Sequence, residues 1–284
     1  MNFTKKIKNK ILDSSDRYDS VKKKNKKLKK QNKLIKKELE DSKSLIKYFI
    51  EEKNELEDFV NFCPVCNNVI KFKPFGNPPR HNALCPKCRS LERDRLANFV
   101  IETKFSNLLN KPSKVLHFAP ELNFYKIFDE KDNVDYYPVD IDPERYEKRN
   151  MSIRKQVNME DIPFIDNYFD FIYNSHVLEH VPNDLQAMSE LYRVLKSEGY
   201  CLIAVPLSNA PETFQNDKYN TPELRLKHYG QKDHLRIYGN DFKDKLESVG
   251  FNVEIIVPEN IISSKNNRKI MGLMDGEKLF ICTK

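Results

Sequence analysis

Four cysteines carry the most specific chemistry in this chain. The stretch "CPVCNNVIKFKPFGNPPRHNALCPKC" places Cys63, Cys66, Cys85 and Cys88 in a Cys-x2-Cys-x18-Cys-x2-Cys pattern. Two residues between the members of a pair make a tight knuckle that lets both sulfurs face one ion, and two knuckles close a tetrahedral site. Four thiolates leave no open coordination position, so the expected ion is a structural Zn2+ and not a catalytic one. Nearby His81 reads as a surface residue. Cys201 and Cys282, in "YCLIAV" and "KLFICT", read as small buried hydrophobes.

A second set of polar residues falls at the ends of apolar segments. From residue 114 onward, segments of strand character recur at 114–118, 135–141, 154–158, 170–175, 200–206, 251–257 and 278–283. Helical patterns lie between them, clearest at 184–196 and 240–249, with Gly199 and Gly250 expected to stop those two helices. Such alternation predicts parallel pairing in a doubly wound α/β sheet, whose ligands bind beyond the carboxyl ends of the strands. Asp140 ends the second strand, where a carboxylate can accept both hydroxyl hydrogens of a ribose. At the third strand's end, Asn158 can bond an adenine amino group and the backbone of Met159 its ring nitrogen. The fourth ends in "YNSHVLEHV", presenting Asn174, Ser175 and His176 at the mouth of the sheet. Taken singly, each has a duller reading: Asp140 as a helix cap, Asn158 as a turn residue, His180 as helix surface.

The elements ahead of this sheet differ in kind. Residues 1–60 hold 18 Lys+Arg against 11 Asp+Glu, which accounts for the whole formal charge of +7 in the 284-residue chain. The same segment repeats in sevens, with Asn25, Asn32, Leu39 and Ile46 at one core position and Val21, Leu28, Ile35 and Phe49 at the other. This predicts a coiled coil and a parallel homodimer, with a single solvated helix as the alternative. Residues 22–37 contain ten lysines and no acid, a run suited to nucleic acid or another anionic surface, or simply a solvated face. It has no interleaved aromatics for base stacking. No apolar run is long enough to cross a membrane, and the start lacks a secretory apolar core, so a cytoplasmic location is expected. The predicted organisation is a basic coiled coil over 1–60, a zinc-ribbon-like module over 61–92 and an α/β domain over 93–284.

The segment "DIPFIDNYFDFIYNSHVLEHVPNDLQAMSELYRVLKSEGYCLIAVP" resembles the central region of class I S-adenosylmethionine-dependent methyltransferases. The resemblance extends to a subgroup that carries a cysteine module, then "LHFAPE", and later a segment like "YGQKDHLRIYG". It covers about residues 63–257. It implies a Rossmann-like seven-stranded sheet with a reversed last strand, S-adenosylmethionine as cofactor and methyl transfer to an acceptor. His117, Ala119, Pro120 and Glu121 then stand where the family usually has an acidic, glycine-rich loop. Alanine keeps the backbone approachable provided its φ is negative. Glu121 is expected to hold the ammonium of the methionine moiety.

Methyl transfer relies on orientation and charge placement, and a hydroxyl or amine acceptor also needs a base. His176 and His234 are the candidates, with Arg236 in "DHLRIYG" available to an anionic acceptor. Residues 207–238 are long enough to fold over the site as an acceptor-binding lid. The expected acceptor is a saccharide or other small-molecule hydroxyl in glycan or cell-surface biosynthesis. Two alternatives stay open: a non-catalytic scaffold with a degenerate fold, and a methyltransferase acting on RNA or protein.

Overall fold

The computed structural model describes residues 60–284, which form one compact unit. The coiled coil and lysine run read from the sequence fall before residue 60 and lie outside the described residues. The cysteine segment folds as two short hairpins. β1 (Asn61–Cys63) pairs with β2 (Asn68–Ile70), and β3 (Lys73–Phe75) with β4 (Arg80–Leu84), both antiparallel. Each cysteine pair sits in a turn at a strand end, where a Cys-x2-Cys knuckle needs the chain to reverse. The following helix, α1 (Glu92–Val100), buries Leu96, Ala97 and Val100 and locks the hairpins to the rest of the unit. Arg80 forks onto the buried Glu92 carboxylate (Nε–Oε1 3.0 Å, Nη2–Oε2 3.2 Å). The fully buried Arg95 lies 4.2 Å from the centre of the Phe72 ring and donates from Nε and Nη2 to the carbonyl of Gly272 (3.1 and 2.7 Å).

The main sheet has seven strands: β5 (Ser113–Phe118), β6 (Val134–Asp140), β7 (Lys155–Gln156), β8 (Phe169–Ser175), β9 (Leu195–Ala204), β10 (Asn252–Ile256) and β11 (Leu279–Thr283). Their spatial order is β10-β11-β9-β8-β5-β6-β7. Contacts among β5 to β9 are parallel, whereas β11 runs antiparallel between β9 and β10. The predicted α/β class, the seven strands and the reversed last strand are all present.

Side chains alternate across the sheet as a period of two requires. Leu116, Phe118, Ile172 and Ile203 pack on one face with Leu191 and Leu246. These two come from α3 (Asp184–Val194) and α4 (Phe242–Ser248). On the other face Val115, Phe171, Tyr173 and Leu202 pack with Leu96 of α1 and Phe124 of α2 (Leu122–Asp129). Helix α3 buries Ala187, Met188, Leu191 and Val194 at spacings of one, three and three, and Asn183 caps it by accepting from Gln186 N at 3.1 Å. The helix ends at Val194, and Gly199 lies inside β9. Gly199 is therefore not the predicted helix stop. A Cβ there would come within 2.9 Å of Leu195 Cδ1 and 3.0 Å of the Asp170 carbonyl oxygen, so close strand packing is what excludes a side chain. Cys201 and Cys282 are both fully buried and face each other in register across β9 and β11.

Candidate active site

Chain order reverses around β5, which lies between β6 and β8. That reversal opens a crevice at the strands' carboxyl ends, the usual ligand position in such sheets. A cleft of about 390 Å³ occupies it, lined by Ala119, Asp140, Asn158, Met159, His176 and His180 among others. Five of these six were read from the sequence as site residues. His180 was read as surface.

The first loop is held from behind. His117 has the strand parity of Val115, so its ring enters the aromatic face of the sheet, 5.0 Å from the Tyr173 ring. It is fully buried, with the Tyr136 hydroxyl 2.8 Å from Nδ1 and Glu121 Oε2 3.1 Å from Nε2. Burial pushes the Glu121 carboxyl up. The His117 hydrogen bond, with attraction to His117 and Arg93, outweighs that and holds it below the ordinary carboxylate range. Glu121 is thereby fixed as an anion just ahead of α2.

Ala119 departs from expectation. Its φ is +49°, in the left-handed region, whereas a negative value was expected of alanine here. The chain must leave the sheet sharply while the Ala119 N–H still pairs with the Val139 carbonyl at 2.9 Å. His176 does the same at the end of β8, with φ +55° and its N–H 2.9 Å from the Ala204 carbonyl. Two non-glycine residues in this region, each costing about 1–2 kcal/mol, flank one cleft. Strain of this kind clusters at functional sites.

Asp140 is buried and well held. Its Oδ1 accepts from Asp142 N at 2.8 Å, and Oδ2 accepts from Arg145 Nη2 at 2.6 Å and the Tyr146 hydroxyl at 2.8 Å. Asn158 is exposed and turns its Oδ1 to Glu160 N at 3.0 Å, while Met159 is buried beneath it.

Buried polar atoms gather beside the cleft, next in sequence to its lining residues His176, His180 and Asp233. Among the described residues, both amide atoms of Asn174, the Ser175 hydroxyl, both Glu179 carboxylate oxygens, and Nε2 of His176 and of His234 have no hydrogen-bond partner. Buried polar atoms normally find partners in protein, water or a ligand, so such a concentration makes this a candidate site. Burial lowers the His234 pKa, with attraction to Glu179 opposing it. Arg236 is fully buried and donates to Gln215 Oε1 and to the carbonyls of Leu178, Val181 and Pro182. It is a clamp between two segments and offers no face to an anionic acceptor, contrary to expectation. Sequence reasoning missed Glu179, although the spacing His-x2-Glu-His was legible in "HVLEH".

The four cysteine sulfurs form a separate cluster. Cys63 Sγ lies 3.6 Å from Cys88 Sγ, and Cys66 Sγ lies 3.8 Å from Cys85 Sγ. A tetrahedral ion with metal–sulfur bonds of about 2.3 Å needs sulfurs about 3.8 Å apart, so the donor set fits.

Residues 123–203 match the family model for a methyltransferase domain. That segment is a methyltransferase domain. Similar solved structures include an S-adenosylmethionine-dependent methyltransferase from Archaeoglobus fulgidus, 17% identical, covering 70% of this chain and 96% of that one with a TM-score of 0.46. Another, from Aquifex aeolicus, is 18% identical and covers 61% of this chain and 82% of that one (TM-score 0.39). Phosphoethanolamine N-methyltransferase 2 of Haemonchus contortus, solved with S-adenosyl-L-methionine, is 14% identical and covers 66% of this chain and 52% of that one (TM-score 0.44). No curated protein matches the sequence. The matched residues lie within the seven-stranded sheet, which runs from Ser113 to Thr283, and no helix among the described residues is long and apolar enough to cross a membrane.

Proposed function

We propose that this methyltransferase acts on a hydroxyl of a saccharide or another small molecule. The carrying observation is the set of buried, unpartnered polar groups at and after the end of β8, beside the cleft that Asp140 and His176 line. A scaffold with a degenerate fold would have no reason to retain so many unsatisfied atoms around one cavity, each costing about 1–3 kcal/mol.

S-adenosylmethionine supplies a methyl group on a positively charged sulfur. The chain's own work is to orient, to exclude water and to take a proton. In this reading Asp140 accepts from the ribose hydroxyls; Arg145, half-exposed on its side chain, swings aside to make room. Asn158 and the backbone of Met159 address the adenine, while Ala119 and Glu121, braced by His117, address the amino-acid end. Asn174 and Ser175 complete the floor. His176 lines the cleft and accepts the proton of the acceptor hydroxyl, with the buried His234 as the second candidate base. The segment 207–238 closes over the acceptor, and Asp233 already lines the cleft from it. Zn2+ bound by Cys63, Cys66, Cys85 and Cys88 staples residues 61–92 to the sheet domain over 93–284. Residues 1–60 are assigned to a coiled-coil homodimer, with the lysine run available to an anionic partner, in a cytoplasmic enzyme.

The test is calorimetric titration of the full chain with S-adenosylmethionine and with its demethylated product. Binding should weaken at least about tenfold, about 1.4 kcal/mol, in Asp140→Ala. Absence of binding in the folded wild-type protein would overturn the assignment.

A further inference from the structure

The structure assigns a binding site for one divalent transition-metal ion to Glu179, His180 and His234, where His180 reaches the cleft and apart from the four cysteines. One donor atom from each of the three lies within 4.8 Å of the others, and Glu179 Oε1 is 4.0 Å from His234 Nε2. Metal–ligand bonds of about 2.0–2.2 Å place neighbouring donors about 3.0–3.4 Å apart, so a shift of about 1 Å per side chain closes the site.

Three features show that the cluster is built to bind. Glu179 is fully buried, and neither carboxylate oxygen has a hydrogen bond among the described residues. A buried carboxylate whose contacts are only the imidazoles of His176 at 3.3 Å and His234 at 4.0 Å is costly, and a cation in contact with it removes that cost. The unpartnered Nε2 of His234, itself 5% exposed, faces the same oxygen.

The second feature is the support of His180. Its Nδ1 lies 3.2 Å from the Asp233 carbonyl oxygen and 3.3 Å from the Asp233 carboxylate. That contact selects the tautomer with hydrogen on Nδ1 and leaves Nε2 free to ligate, the arrangement found behind most metal-binding histidines. His176 Nδ1 stands 3.3 Å from Glu179 Oε1 and orients the carboxylate from the other side.

The third is rigidity. The ligands come from two segments 54 residues apart in sequence (His180 to His234), and these are clamped together. Leu235 N donates to the Glu179 carbonyl at 2.9 Å, and Arg236 Nη1 donates to the carbonyls of Leu178 and Val181 at 2.8 and 2.6 Å. The buried Arg236 thus fixes the distance between the ligands.

Two imidazoles and one carboxylate suit Zn2+, Fe2+, Co2+ or Mn2+ and leave coordination positions open. His180 and Asp233 line the cleft, so the open positions are available to an oxygen ligand there. Resting on the methyltransferase reading for its acceptor, the site would hold that acceptor by its hydroxyl oxygen and make the hydroxyl proton easier to remove.

The experiment uses the full chain with its cysteines loaded with zinc, titrated with Co2+ and followed by visible absorption. Nitrogen and oxygen ligation gives d–d bands without the near-ultraviolet sulfur charge-transfer band that entry into the cysteine cluster would produce. One equivalent of the former is expected, with affinity at least about tenfold weaker in His180→Ala and lost in Glu179→Gln. No d–d bands, bands unchanged in both variants, or the sulfur band alone would overturn the proposal. S-adenosylmethionine binding is measured on the same samples. Retention of it in His180→Ala shows that the variant is folded. Cofactor binding without cobalt sinks only the metal site; cobalt without cofactor binding sinks only the methyltransferase reading.

Discussion

Replacing Ala119 by glycine should make this enzyme more stable, against the usual cost of adding a glycine. Ala119 has φ +49°, where an L-residue with a Cβ pays about 1–2 kcal/mol and glycine pays nothing. Set against this is the greater freedom of glycine in the unfolded chain, worth about 0.5–1 kcal/mol. The difference leaves a net gain of about 0.5–1 kcal/mol. For a unit the size of residues 60–284 this corresponds to a rise of about 1–4 °C in Tm. Ala119→Val should go the other way, because a β-branched side chain tolerates this region worst. The assay is urea unfolding of the three proteins at one pH, with thermal melts alongside. A glycine variant less stable than wild type would show that Ala119 does not hold the left-handed backbone and that the strain assigned to this loop is absent.

Two further outcomes follow from other parts of the fold. Burial, with some repulsion from Glu121, pushes the Asp94 carboxyl up to about 6 from its ordinary 3.8. The folded state therefore binds that proton more tightly than the unfolded chain. The resulting stability is fully present below about pH 4 and lost as pH rises through about 6. Asp94→Asn keeps an acceptor for Leu91 N, which now bonds Oδ2 at 2.9 Å. It should stabilise the protein by about 1–3 kcal/mol at pH 8 and by much less at pH 4; equal stability at pH 8 in a denaturant titration would refute the reasoning. Stripping metal with a chelator should lower Tm by several degrees and release one zinc per chain from the cysteines, measured by a colorimetric zinc indicator. A fully stable, zinc-free protein would remove the staple.

Much of this architecture was legible in the chain. Strands such as "KVLHF" and "DFIYNS" are short, apolar and bounded by polar turns, so their period and order survive folding intact. Asp140 was legible because a strand end fixes where its side chain must lie. Gly199 misled because a glycine after a helical pattern looks like a stop, whereas the helix had ended at Val194 and the glycine serves strand packing. The φ of Ala119 was illegible because local sterics predict the opposite sign; the pairing of its N–H with Val139 overrides them. Arg236 reads as a surface cation, since no sequence pattern announces that it meets the carbonyls of Leu178 and Val181 from more than 50 residues away.

The contact between Arg95 and the Gly272 carbonyl joins residues 177 positions apart, and Asn61 Nδ2 reaches the Lys269 carbonyl across 208. Chains are made from the amino end, at about 5–20 residues per second. The cysteine hairpins therefore leave the ribosome well before the backbone that clamps them. Until that backbone emerges the hairpins have only local contacts to hold them, and such long-range closure is slow to form. An early-folding ribbon that captures zinc before the sheet exists would give the growing chain a fixed edge, and α1 a template on which β5 and the aromatic face can assemble.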